Sequence, residues 1–216
     1  MSFIAVAQQL GSGMLASLSI FVLTLVFSLP LGLLVAFGRK SRIKPVQWLV
    51  KLYISIMRGT PLMLQLMVIY FGPFYILGVQ ISQSWKNMAV AIGFVLNYAA
   101  YFAEIYRSGI QAIPKGQYEA AKVLGFNRSQ TFFKIILPQV IKIITPSLGS
   151  ECMTLVKDTS LAHVIGVMEI YVVATNQMAR SRGMIYLVVA GIFYLIMNAI
   201  VSKVFSVIEK RMNYYR

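Results

Sequence analysis

Acidic residues are scarce in this chain. Six Asp and Glu stand against twenty Lys and Arg in 216 residues, a net charge of +14. In a soluble chain that balance points to nucleic acid. Here the charges are excluded from long apolar runs. Hydrophobic residues make up 58% of the chain and mean hydropathy is +0.74, against roughly 45–50% apolar in soluble domains. Membrane topology therefore explains the charge, and lipid rather than nucleic acid is the expected surrounding. Cysteine is nearly absent: the lone Cys152 excludes an intrachain disulfide and reads as a small buried apolar residue. The lone His163 reads as a packed or interfacial histidine, and without clustered Cys and His no metal site is expected. No Lys or Arg precedes Arg39, so a cleavable signal peptide of the usual form is not expected. No G-x-x-x-x-G-K-[ST] loop occurs, so no ATP or other cofactor is expected in this chain. With no repeat, low-complexity tract or soluble domain, residues 1–216 read as a single transmembrane domain.

Five apolar stretches read as membrane spans, for a bilayer core of about 30 Å. The first is 14–38, with Pro30 as a kink site, after an interfacial lead-in at 1–12. The second starts at Thr60 and Pro61, read as N-cap and first turn, and runs to 76 or 81 with a bend at Gly72-Pro73. The third is 88–106, the fourth 140–156 and the last 183–202. Residues 44–58 are amphipathic. Trp48, Leu49, Leu52, Tyr53, Ile56 and Met57 share one face, and Lys44, Gln47, Lys51, Ser55 and Arg58 the other. That pattern fits a helix at the interface or the wetted foot of the next span. Residues 161–179, interrupted by His163, Gly166 and Glu169, read as re-entrant or interfacial rather than as a sixth span.

Five spans put sixteen of the twenty Lys and Arg on one side, leaving Lys86, Lys157, Arg180 and Arg182 on the other. The positive-inside rule then places the N-terminus outside, the C-terminus in the cytoplasm and the loop at 114–138 in the cytoplasm. A sixth span would send Lys210, Arg211 and Arg216 outside, against that rule.

The cytoplasmic loop, PKGQYEAAKVLGFNRSQTFFKIILP, is polar where its flanks are not. It reads as two short helices. Pro114 leads into the first, which runs to about Leu124, and Gly125 sits where a left-handed cap would end it. Asn127 and Gln130 form a capping box for the second, and Pro138 marks its end or a kink. Tyr118, Ala121 and Leu124 give the first an apolar side, and Phe132, Ile135 and Ile136 the second.

Glu119-Ala120-Ala121, then Gly125, then Ile135, Leu137 and Pro138 at this spacing resemble the signature cytoplasmic loop of ABC-importer membrane subunits. Other stretches narrow the resemblance to the polar amino-acid uptake permeases. They are Arg58-Gly59-Thr60-Pro61 with Gln65, the run from Ala99 to Ile110, Gly116-Gln117, and Lys157-Asp158-Thr159-Ser160-Leu161. The family pattern often has Asn before the glutamate of the fourth span. Here Ser150 precedes Glu151, so that contact is not carried over.

The resemblance implies an all-α, five-span permease of the type I importer fold in a bacterial inner membrane. It implies a second permease chain in a closed two-fold pair, either a homodimer or a pair of related chains. It further implies two cytoplasmic ATPase subunits that bind ATP and Mg, and an extracytoplasmic amino-acid-binding protein. The 114–138 loop would couple to the ATPase through Glu119, Ala120, Ala121, Gly125, Leu137 and Pro138.

Ionisable groups inside a membrane are candidates for function. Glu151 and Asp158 lie seven residues apart, on about the same helix face, and Asn97, Tyr101 and Glu104 join them as substrate-path candidates. Two carboxylates on one face favour a cationic amino acid, with Thr154, Thr159 and Ser160 as donors. The structural alternative pairs Glu104 with Arg107 and Asp158 with Lys157 or a helix end. Two rival functions remain: an ion-gradient-driven amino-acid carrier, and a purely structural membrane protein. Neither gives the polar loop a role.

Overall fold

The computed structural model describes residues 3–212. Residues 1–2 of the expected lead-in, and Arg216 of the basic tail, lie outside the described residues. Helices α1 (Phe3–Arg39), α4 (Gln83–Gln111) and α9 (Ile185–Arg211) are each long and apolar enough to cross a membrane, as is the continuous stretch Arg128–Ile165. A further candidate is the pair α2 (Lys44–Gly59) and α3 (Leu62–Leu77), bent by 111° at their junction. At 1.5 Å per residue α3 alone is about 24 Å long, short of the bilayer core. The chain is thus an all-helical membrane protein of four or five spans among the described residues.

Residues 3–12 are not a surface lead-in. They are the first turns of α1, and Val6 and Leu10 are fully buried in a cluster with Ile170, Ala174, Tyr186 and Val189. Helix α1 also packs along α4, where Gly32 lets the backbones approach: a Cβ there would lie 2.9 Å from the Phe102 Cβ and 3.0 Å from the Ala99 carbonyl. Leu66, Phe94, Tyr98, Phe102 and Leu155 tie α3, α4 and α7 (Leu137–Asp158) into the main core.

The second expected junction differs as well. Thr60 closes α2 rather than opening α3, with its hydroxyl turned back to the Ile56 carbonyl at 2.8 Å, and Pro61 takes the N-cap position. Helix α3 runs through Pro73 and ends at the left-handed Gly78. On α2, Tyr53 and Met57 pack inward beside Ile54, while Trp48, Leu49, Leu52 and Ile56 face out. The apolar side seen in the sequence is therefore shared between two environments.

Beyond α7 the chain tightens into a 3-10 segment, Thr159–Ile165, turns at left-handed Gly166, and forms α8 (Ile170–Ser181). Twelve residues of α8 span about 18 Å, too short to cross. Glu169 explains the break that sequence alone registers as an interruption. Its carboxylate caps α8, accepting from the backbone N–H of Tyr171 at 2.8 Å and of Val172 at 2.9 Å. The hydroxyls of Tyr194 (3.1 Å) and Ser17 (3.5 Å) also donate to it. This fully buried carboxylate joins α1, α8 and α9.

Candidate functional site

Two features stand out: a polar chamber among the apolar helices, and a hinged pair of helices at one end.

Asn97 lies fourteen residues from either end of α4, at its midpoint. Around that level a cavity of about 310 Å³ is lined by Thr60, Asn97, Tyr98, Tyr101, Glu151, Thr154 and Asp158, with Pro61, Leu62 and Leu161. The volume is at the lower end of the range of about 300–1,000 Å³ usual for small-molecule sites. The α2–α3 break opens the wall here. Gln65 holds the broken ends, its amide donating to Met57 O at 3.0 Å, Thr60 O at 3.1 Å and Thr60 Oγ1 at 2.8 Å. Asn97 adds bonds to Met57 O and Gln65 Oε1, both 3.0 Å. Asn97 is therefore committed to the frame as well as lining the cavity.

Glu151 and Asp158 sit two turns apart on α7 and both line the chamber. The Tyr98 hydroxyl donates to Asp158 Oδ2 at 2.8 Å. Tyr98 itself is almost wholly buried, so this bond fixes one carboxylate oxygen. At the other side, the Arg58 guanidinium lies 5.3 Å from the centroid of the Tyr101 ring, a cation–π arrangement. The chamber thus has carboxylates along one wall and a cation beside a lining aromatic.

Glu104 is elsewhere. It does not line this cavity but pairs with Arg39 and Arg107, with Arg58 at 4.0 Å. The pairing with Arg107 was legible from the i, i+3 spacing; that with Arg39, sixty-five residues away, was not. Sequence reading also missed Arg58, which sits beside the lining Tyr101, and the lining residues Thr60 and Tyr98. The first two were visible in the Arg58-Gly59-Thr60-Pro61 run, while Tyr98 gave no polar signal distinct from neighbouring Tyr101. Of the expected donors only Thr154 lines the chamber, and all three hydroxyls donate to backbone carbonyls: Thr154 to Ser150, Thr159 to Val156 and Ser160 to Lys157.

The hinge comprises α5 (Lys115–Val123) and α6 (Arg128–Gln130), the latter running without a break into a π-helical turn at Thr131–Ile136 and then α7. Gly125 has φ +79°, in the left-handed region. Phe126 N–H reaches Ala121 O at 3.0 Å and Gly125 N–H reaches Lys122 O at 3.1 Å, the paired bonds of a Schellman cap. Asn127 and Gln130 form the reciprocal capping box, with bonds of 2.9 and 3.0 Å.

Pro138 does not end the second helix. Leu137 N–H bonds five residues back to Phe132 O, and this wider turn relieves the clash a proline ring makes with the carbonyl four residues earlier. The hinge's second arm is therefore a direct extension of the helix that carries Glu151 and Asp158.

Ala121 is buried against this arm, and Glu119, Ala120 and Gly125 are exposed. Leu137 and Pro138 are partly covered. Val123 and Leu124 are 87% and 72% exposed and Phe133 62%. The expected apolar side of α5 is thus mostly uncovered, which suits a partner's groove.

The family described as "Binding-protein-dependent transport system inner membrane component" matches residues 28–214. The arginine transport system permease ArtQ of Bacillus subtilis is 36% identical over 201 residues, covering 93% of this chain and 90% of that protein. The L-cystine transport system permease TcyB of the same organism is 35% identical over 208 residues, covering 95% and 87%. The crystal structure of an amino acid ABC transporter with histidines superposes with a TM-score of 0.86 at 32% identity, covering 98% of this chain and 99% of that one.

Proposed function

Because this chain belongs to the family of binding-protein-dependent transport inner membrane components, we propose that it is the transmembrane subunit of an ATP-driven importer of a cationic amino acid. It is an inner-membrane transport subunit, not an enzyme. The observation that carries the substrate reading is the chamber in which Glu151 and Asp158 converge at mid-depth. Their carboxylates face a bound ammonium or guanidinium. Arg58, stacked on Tyr101, stands ready for the amino acid's own carboxylate. Relatives named for arginine and cystine, and a solved structure holding histidines, support an amino acid. The paired carboxylates favour the cationic choice among them.

Coupling follows from the rigid connection between hinge and chamber. The exposed apolar edge of α5 seats in a groove of a cytoplasmic ATPase that holds ATP and Mg. Glu119 makes a charged contact there, Ala120 and Ala121 keep the approach close, and Gly125 fixes the angle between the arms. Motion of the hinge reaches Glu151 through the π-turn, Leu137 and Pro138 without crossing a loop. Two copies of the chain, related by a two-fold axis, flank the path; an extracytoplasmic binding protein delivers the substrate. Five spans, with α2 and α3 counted as one, put the N-terminus outside and the hinge in the cytoplasm, in keeping with the positive-inside rule.

The test is the mass of the intact complex purified from its native membrane in mild detergent. Two copies of this chain with two ATP-binding subunits are expected. A lone chain, or a homodimer that never carries an ATPase, would overturn the coupling reading.

A further inference from the structure

A second cavity, of about 510 Å³, opens where α1 and α4 end together. It is lined by Arg39 and Lys40, by Gln47 and Lys51 of α2, and by Arg107 and Gln111. Four cations from three elements face one space, and no carboxylate is among the lining residues. Glu104 stands behind them, paired with Arg39 and Arg107. The chain's other five acids are committed elsewhere. Glu119 is on α5, Glu151 and Asp158 line the chamber, Glu169 caps α8, and Glu209 lies near Lys142 and Lys210. One carboxylate against four cations leaves the cavity strongly positive. The cations are also positioned: the Gln47 amide donates to Arg39 O at 3.3 Å, and Arg107 donates to Gln111 Oε1.

We propose that this cavity binds the phosphate headgroup of an anionic phospholipid, in the leaflet on the basic side of the membrane. The surface beside the cations decides for a lipid. Helix α2, which supplies Gln47 and Lys51, exposes Trp48, Leu49 and Leu52, and the last turns of α1 expose Leu34 and Phe37. A free anion would use none of this apolar surface, whereas acyl chains cover it. Exposed indole rings belong at headgroup depth, and basic pockets between spans on the cytoplasmic side suit lipid headgroups. The site is separate from the amino-acid chamber and shares no lining residue with it. Its occupant would brace α2 against α1 and α4.

The experiment is native mass spectrometry of the intact complex after exchange into mixed phosphatidylglycerol and phosphatidylcholine. Wild type is expected to retain phosphatidylglycerol selectively. A Lys40→Gln/Lys51→Gln double variant, which spares the arginines bound to Glu104, is expected to weaken that retention about thirtyfold, at roughly fivefold per lysine. If the double variant does not assemble, Lys51→Gln alone carries the test with its own roughly fivefold loss. Inorganic phosphate is expected not to displace the lipid. Equal retention of both lipids, or unchanged retention in the variants, would overturn the proposal. Displacement by inorganic phosphate would reassign the cavity to a free anion. Crosslinks from Lys51 to acidic residues of the ATPase would reassign it to protein. Each of these results would refute the lipid site.

Discussion

Gly125 offers the sharpest perturbation of the hinge. Its φ of +79° is left-handed, and an added Cβ would meet nothing within 4 Å. Crowding therefore contributes little within this chain, and substitution costs only backbone energy. That cost is about 1–2 kcal/mol for an ordinary L-residue, less for Asn, which tolerates this region, and more for a β-branched side chain. Part of the cost is the Schellman pair, since rotating out of the left-handed well releases the bonds to Ala121 and Lys122. At about 1 kcal/mol the population of the hinged arrangement falls roughly fivefold against its alternatives. The assay is substrate-stimulated ATP hydrolysis by the reconstituted complex, with assembly checked by mass. The expected order of activity is Gly, then Asn, then Ala, then Val. Asn above Ala is the diagnostic feature, because Asn is the larger side chain. An order set by size, with Ala above Asn, would refute the backbone argument and show instead that the partner crowds position 125.

Glu151→Gln and Asp158→Asn are each expected to lower uptake of arginine or lysine at least tenfold while sparing assembly, since a desolvated charge contact to substrate is worth about 1.5–3 kcal/mol; competition by neutral amino acids reads the change in preference. Glu169→Ala leaves two N–H groups at the start of α8 and two hydroxyls without their acceptor; a loss of about 2 kcal/mol or more is expected in thermal unfolding in detergent, and an unchanged melting point would count against its bracing role. Gly13→Ala would place a Cβ 2.8 Å from Ile170 Cα, a backbone atom that cannot step aside; a cost of about 1–3 kcal/mol is expected in the same assay.

What was legible in the sequence was local. Gly125, Asn127 and Gln130 declare their caps because each bond closes within six residues. Glu151 and Asp158 share a face because they share a helix. Where the deciding partner is distant, local reading goes astray. Thr60-Pro61 looks like the start of a helix, but the 111° bend and the bonds from Gln65 turn Thr60 into the end of α2. Pro138 looks like a stop, yet a π-turn absorbs it. Val6 and Leu10 look like a lead-in until Ile170 and Tyr186 cover them. Glu104 has its sequence neighbour Arg107 as a partner, but Arg39 draws it away from the chamber lining.

The most direct measurement is uptake of labelled arginine or lysine into proteoliposomes holding the assembled complex and its binding protein. With the ATPase facing the lumen, uptake is expected only when ATP and Mg are enclosed, and it should persist after ionophores collapse every ion gradient. Uptake without nucleotide that stops when the gradients collapse would contradict the central claim and make this chain a gradient-driven carrier.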